Sequence, residues 1–235
     1  MQFLLSPLND QIDLGFGVLG HSFESAAQEL DAQKEPTGDF HRHLPISFLY
    51  RHALELFLKS AVLIFHCKFH IPYRDLPWDG KPHILVRGKL TDMYKVHSVA
   101  DLYKYVDALF GVCKPALDTC TKTDWTTPAD VPKWINLIEG YDRKGTFFRY
   151  PVTTDPRKDA AKSGRKESSA DDFFSHVSSV NSKPGVSLLL HDDDGNPTRA
   201  FTPNDESQFL DVLRKATSFF SSTHVALRME LCGGW

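Results

Sequence analysis

The chain has 235 residues, 41% hydrophobic and 24% charged, with a formal net charge of −3. This is enough apolar material for one sizeable core, and the charge is too near neutral to mark the whole chain as a nucleic-acid binder, so any nucleic-acid contact has to come from a local basic patch. No run reaches the roughly 18 apolar residues of a membrane span. The opening MQFLLSPLNDQIDL lacks the basic region and apolar run of a signal peptide, and Cys67, Cys113, Cys120 and Cys232 form no CxxC pair, so the expectation is a cytoplasmic protein with free thiols.

In chain order, residues 8–33 read as a first helix whose small residues let a neighbour approach closely. Gly15, Gly17 and Gly20 match a dinucleotide-binding fingerprint, with Asp39 further on, but no strand precedes them and no βαβ unit follows. Helix packing or a break in the helix is the better reading. After a loop, residues 47–66 form the central helix, free of Gly and Pro and apolar on most sides, as a helix in the middle of a domain must be. Its polar stripe is narrow: Arg51, Glu55 and Lys59 at successive i,i+4 steps, with His52 alongside. His41, His43, His66 and His70 invite a metal reading. Glu does not follow His66 and Pro72 ends the helix, so histidines favoured by the helix C-terminus are preferred and no metal site is expected.

Residues 73–94 read as an excursion with one short β-like run, Ile84 to Arg87. The next helix starts at Ser98 as N-cap with Asp101 three residues on, and Gly111 closes it. His97 lies just before that cap, where the positive helix end favours the neutral ring, suited to a proton acceptor or to a structural hydrogen bond. A further helix centres on Trp134 to Tyr141, with Pro128 or Pro132 in its first turn, followed by Phe147, Phe148, Arg149, Tyr150 and Pro151. Arg149 between aromatics suits a base or a phosphate, or an ion pair with Asp142 or Glu55 that locks two helices. The stretch with Arg157, Lys158, Lys162, Arg165 and Lys166 reads as a solvated loop with a local positive charge able to touch nucleic acid. VSLLL and TRAFT flank an Asp/Gly/Asn turn as a β-hairpin, and the turn lacks the late Glu of a calcium loop. Thr202 then caps a last helix that packs back on the central one.

The elements add up to a mainly α protein: five helices as a bundle, a single domain over residues 1–235, with a polar loop plus β-hairpin insertion at 152–202 and the C-terminal helix at 203–230. Three blocks, Tyr50 to Lys59, His97 to Leu102 and Phe148 to Pro151, resemble bacterial HEPN-like proteins, in the expected order across roughly residues 45–151. The resemblance implies a HEPN-like helical bundle, a homodimer, and work as a ribonuclease or nucleotide-binding partner in toxin–antitoxin, CRISPR-linked or anti-phage systems. No cofactor is expected, and the expected partners are RNA or a nucleotide, a second copy of the chain, or a partner protein such as an antitoxin, with no membrane.

The HEPN ribonuclease pattern of Arg, four to six residues, then His is absent: Arg42 to His52 and Arg87 to His97 each leave nine residues between. A replacement site assembled in space would use His52 or His97 as general base, Arg51, Arg149 and Tyr150 to hold phosphate or nucleotide, and Glu55 and Asp142 in support, as a metal-independent endoribonuclease. The alternative is that Arg51, Glu55, Asp142 and Arg149 form a buried ion-pair network in a catalytically silent module that dimerises or docks a partner. A metal-dependent hydrolase using His66 and His70 is the third reading.

Overall fold

A computed structural model describes residues 5–33, 41–150, 152, 155, 156, 159, 162–178, 187–203 and 207–234. Among them are six α-helices and two small antiparallel sheets: α1 (Phe16–Ala32), α2 (His43–Phe69), β1 (His83–Val86), β2 (Lys89–Asp92), α3 (Val99–Cys120), α4 (Val131–Asp142), β3 (Arg165–Ser168), α5 (Ala170–Ser178), β4 (Leu188–His191), β5 (Pro197–Pro203) and α6 (Ser207–Leu231). No helix among the described residues is long and apolar enough to cross a membrane.

The central helix is where its composition puts it. Leu54, Leu58, Val62, Ile64 and Phe65 are completely buried, because α1, α3 and α6 all pack on α2. A helix with apolar residues nearly all round can satisfy them only if it is surrounded. The last helix does pack back on it, with Leu213, Ala216 and Phe220 buried and Thr217 Oγ1 donating to the Tyr50 carbonyl at 3.1 Å. Thr202, however, lies within strand β5, paired with Lys166, rather than capping α6, and Asn204 and Asp205 of the expected cap lie outside the described residues.

The glycine triplet is a break and a close approach. Residues 8–10 make a separate 3-10 turn, and α1 starts only after Gly15, whose φ of +78° is the left-handed conformation that glycine tolerates. A Cβ on Gly17 would stand 1.9 Å from His224 Nε2, so α6 can lie against α1 only where a side chain is missing.

Three expectations change. Helix α3 runs past Gly111 and through Pro115 to Cys120, because its inward stripe continues with Cys113 and Leu117. A glycine costs a helix about 1 kcal/mol, less than burying that stripe returns. The excursion at 73–94 is a two-stranded hairpin: β1 pairs with β2 across Arg87 and Gly88, both at positive φ, which is the two-residue turn that matches strand twist. The polar segment holds strand β3, paired with β5 on the side opposite β4, so the hairpin becomes a sheet of order β3-β5-β4 with α5 against it. An open edge on β5 recruits whatever extended backbone lies beside it, polar or not. The β4–β5 turn itself is as read, with Asp192 accepting from the N–H groups of Asp194 and Asn196 at 3.1 and 2.7 Å.

Candidate active site

The polar stripe of α2 is enclosed. Arg51 is 1% exposed and its guanidinium meets three elements. Nη1 donates to Glu55 Oε2 at 2.5 Å, Nη2 donates to the His97 carbonyl and, at 3.4 Å, to that of Asp142, and Nε faces Asp142 Oδ2 at 3.3 Å. Asp142 sits at the end of α4, and its Oδ1 accepts the N–H groups of Thr146 and Phe147 at 2.8 and 2.9 Å, capping the chain as it leaves the helix. Gly145, at φ +68°, brings that chain against the guanidinium, where a Cβ would stand 3.4 Å away. Glu55 Oε1 accepts from Lys59 Nζ at 2.8 Å. The sequence therefore brings Arg51, Glu55 and Asp142 together, but as a closed network behind the surface.

His97 is the member that reaches out. Its Nδ1 lies 3.0 Å from Glu55 Oε1, yet its side chain is 43% exposed. Burial alone would raise the Glu55 carboxyl, but Lys59 and Arg51 outweigh it and hold the group down at about 2. An ionised carboxylate only accepts, so the His97 proton facing it sits on Nδ1, and Nε2 is the ring's second position. The ring is anchored from behind by the start of α3. There Ser98 Oγ accepts from Asp101 N–H, as expected of an N-cap, and donates to Glu139 Oε1 at 2.8 Å, while Glu139 Oε2 accepts Ala100 N–H. The positive end of a helix next to an oriented imidazole, with a carboxylate on the far nitrogen, is an arrangement able to move a proton.

His52 is placed differently. Its ring stacks on Phe48, centroids 5.6 Å apart and 7° from parallel, and meets the edge of Phe23 at 4.5 Å. Burial lowers its pKa, nearby Arg149, Arg51 and Lys59 push the same way against the pull of Glu55, and its buried Nδ1 has no hydrogen-bond partner among the described residues. Its setting is aromatic and disfavours the charged ring. Arg149 is exposed, with its guanidinium carbon 5.3 Å from the Phe48 centroid. Tyr150 is 57% exposed, and its carbonyl accepts from Lys162 Nζ at 2.8 Å. Lys162 itself is 4% exposed, so this lysine of the basic segment holds the fold rather than facing solvent.

The histidines at the end of α2 do not converge. His66 is buried, stacks on Tyr73 at 3.9 Å, and uses both ring nitrogens: Nδ1 lies 2.6 Å from the Ile71 carbonyl and Nε2 2.9 Å from Tyr105 Oη. His70 is the left-handed C-cap and meets the edge of Trp78. No group of three or more His, Cys, Asp or Glu among the described residues could hold a metal ion.

A second buried cluster escapes sequence reasoning. Asp13 is fully buried; its Oδ2 accepts from Ser60 Oγ at 2.5 Å and Gly17 N–H at 2.9 Å and faces His224 Nε2 at 3.3 Å. Its Oδ1 accepts Gly15 N–H and lies 3.6 Å from Arg228 Nη1. Burial would raise this carboxyl, but the adjacent His224 ring, the hydrogen bond from Ser60 and the Arg228 charge hold it well below the usual range. The available signals were Ser60 on an apolar stripe and the i,i+4 pair His224 and Arg228 in a helix otherwise read for its apolar face.

Both carboxyls carry the same linkage. Each has a folded pKa below its ordinary value, so its contribution is present above that value and is lost as pH falls toward the folded one. For Glu55 the window runs from 4.5 down to about 2. Thermal unfolding followed from pH 5 downward, on the order of the ordinary carboxyl range, is expected to show melting temperature dropping steeply through that window. The drop should be shallower in Glu55→Gln.

No family model matches the chain, and no curated protein or solved structure matches it either.

Proposed function

We propose that the chain is a HEPN-like component of a bacterial defence or toxin–antitoxin system that acts on RNA or a nucleotide, with His97 as general base in a metal-independent endoribonuclease. The observation that carries this reading is the His97–Glu55 pair, a half-exposed imidazole tethered through Nδ1 to a buried, ionised carboxylate. In the step proposed, His97 Nε2 takes the proton of a ribose 2′-hydroxyl and the 2′-oxygen attacks the adjacent phosphorus. The bond to the 5′-oxygen breaks, that oxygen takes up a proton from solvent water, and a 2′,3′-cyclic phosphate is left. Exposed Arg149 and Tyr150 would hold the phosphate or a base. Arg51, being enclosed, would act at a distance by fixing Glu55 and the His97 backbone.

The burial of Arg51, Glu55 and Asp142 supports a second reading, a catalytically silent HEPN-like module that dimerises or docks a partner protein through another surface. Incubation with labelled total RNA and tRNA separates the two. The nuclease reading expects cleavage by the wild type and a rate about 10²–10⁴-fold lower in His97→Ala. A folded wild type that leaves both RNAs intact favours the silent module.

A further inference from the structure

The stretch after α4 carries Arg149 to the face of α2 that holds the His97–Glu55 pair. Phe48, His52 and Glu55 follow one another at i, i+4 and i+7, so they share one stripe of the helix, and Phe48 stands about 10 Å along the axis from Glu55. On this stripe the His52 ring stacks on Phe48, 7° from parallel, with Phe23 edge-on to it. The Arg149 guanidinium carbon lies over Phe48, 5.3 Å from its centroid. Phe48 and His52 are half-buried, and Arg149 is the exposed member of this cluster of flat groups.

The backbone around Arg149 is pinned while its charge is left open. Its own N–H donates to the Thr146 carbonyl at 3.2 Å, Phe148 stacks on Phe209 with centroids 5.4 Å apart, and the Tyr150 carbonyl accepts from Lys162 Nζ. The expected ion pair with Asp142 or Glu55 does not form. Arg51 takes both carboxylates, with Lys59 also on Glu55, and the Arg149 guanidinium has no hydrogen-bond or ion-pair partner among the described residues. Arg51 is the lock between helices, and Arg149 is held in place without serving as one. A guanidinium laid against an aromatic ring is weakly hydrated and offers a flat, cationic face to a second flat group. Burial above all disfavours a charge on His52, so the base of the cluster is uncharged.

We infer that Arg149, Phe48 and His52 form a stacking platform for an unpaired nucleobase beside the phosphodiester presented to His97, and that Arg149 serves this base rather than a phosphate. The choice of a nucleobase as the flat ligand rests on the nuclease reading of His97; the platform rests on the geometry of the cluster. Every base has a flat face, so stacking selects for an unpaired stretch and not for a sequence. A duplex, whose bases are already stacked on one another, offers the platform no face.

The test is binding, by fluorescence anisotropy, of a 2′-O-methyl oligoadenylate, which has no free 2′-hydroxyl to attack and cannot be cut, and of an abasic strand of the same length and charge. The wild type is expected to hold the oligoadenylate about 5–100-fold more tightly than the abasic strand. Arg149→Lys keeps the charge and loses the flat face, and at an exposed position it leaves the fold intact, so it should lose most of that preference. Phe48→Leu, which keeps apolar volume without a ring, should lose it as well. Equal affinity of the wild type for the two strands, no binding of either, or an Arg149→Lys variant with the wild-type preference would overturn the inference. The nuclease reading fails separately. Base-dependent binding by a wild type that leaves RNA intact would keep the platform and remove His97 as general base, whereas RNA cleavage with no preference for bases would remove the platform and keep His97.

Discussion

Arg51→Ala is expected to lower the stability of the chain by about 3–5 kcal/mol, the usual effect of removing one partner from a buried ion pair. The side chains of Glu55 and Asp142, 2% and 1% exposed, would lose the cation between them, and the His97 carbonyl would lose its donor. Lys59 still faces Glu55, which leaves Asp142 as the carboxylate most poorly compensated. For a chain of this length the melting temperature should fall about 2–4 °C for each kcal/mol, which makes the drop about 6–20 °C. Arg51→Lys keeps the charge and loses the planar fork that reaches Glu55, Asp142 and the carbonyls at once, so it should fall between the two. A calorimetric melting point for Arg51→Ala within about a degree of the wild type, well under the shift of 1 kcal/mol, would contradict the network's role.

Asp13→Ala should be comparably severe for a different reason. This carboxylate accepts from Ser60, Gly15 and Gly17 and faces His224 and Arg228 in a fully buried position. The substitution strips acceptors from buried donors and a counter-charge from a buried guanidinium together, which again costs about 3–5 kcal/mol. Urea unfolding is the measurement: the midpoint should drop with the slope unchanged, since the surface exposed on unfolding is the same. Asp13→Asn keeps an acceptor but not the charge and should recover part of the loss. A midpoint in Asp13→Ala equal to that of the wild type would remove Asp13 as the anchor of α1 on α2 and α6.

The parts of this fold legible in the sequence are those in which local pattern and tertiary setting agree. α2 is apolar on nearly every side and rich in strong helix formers, so position in the core and helical state follow from the same residues. Ser98 announces a cap because its hydroxyl acts on a backbone group three residues away. The stripe of Arg51, Glu55 and Lys59 was readable from its i,i+4 spacing, and Asp142 and His97 were at hand as candidates. Whether these residues face solvent was not readable, because enclosure depends on how the end of α4 and the Gly145 turn close over α2. Strand β3 has no alternation to betray it and owes its state to the free edge of β5. The Asp13–His224 pair spans most of the chain, and a contact of that kind is set by how α1 and α6 meet, with only the missing side chain of Gly17 as a local trace.

The His97–Glu55 pair is most directly tested by chemical rescue of RNA cleavage. Labelled tRNA is incubated with wild type and with His97→Ala, each with and without free imidazole, after circular dichroism has shown that both are folded. The expected result is cleavage by the wild type, a loss of about 10²–10⁴-fold in the variant, and recovery of part of that loss on adding imidazole, which supplies the missing base to an otherwise intact site. Cleavage by His97→Ala at the wild-type rate, or no cleavage by the wild type, would contradict His97 as the reacting group and leave the Glu55 contact as part of the fold alone.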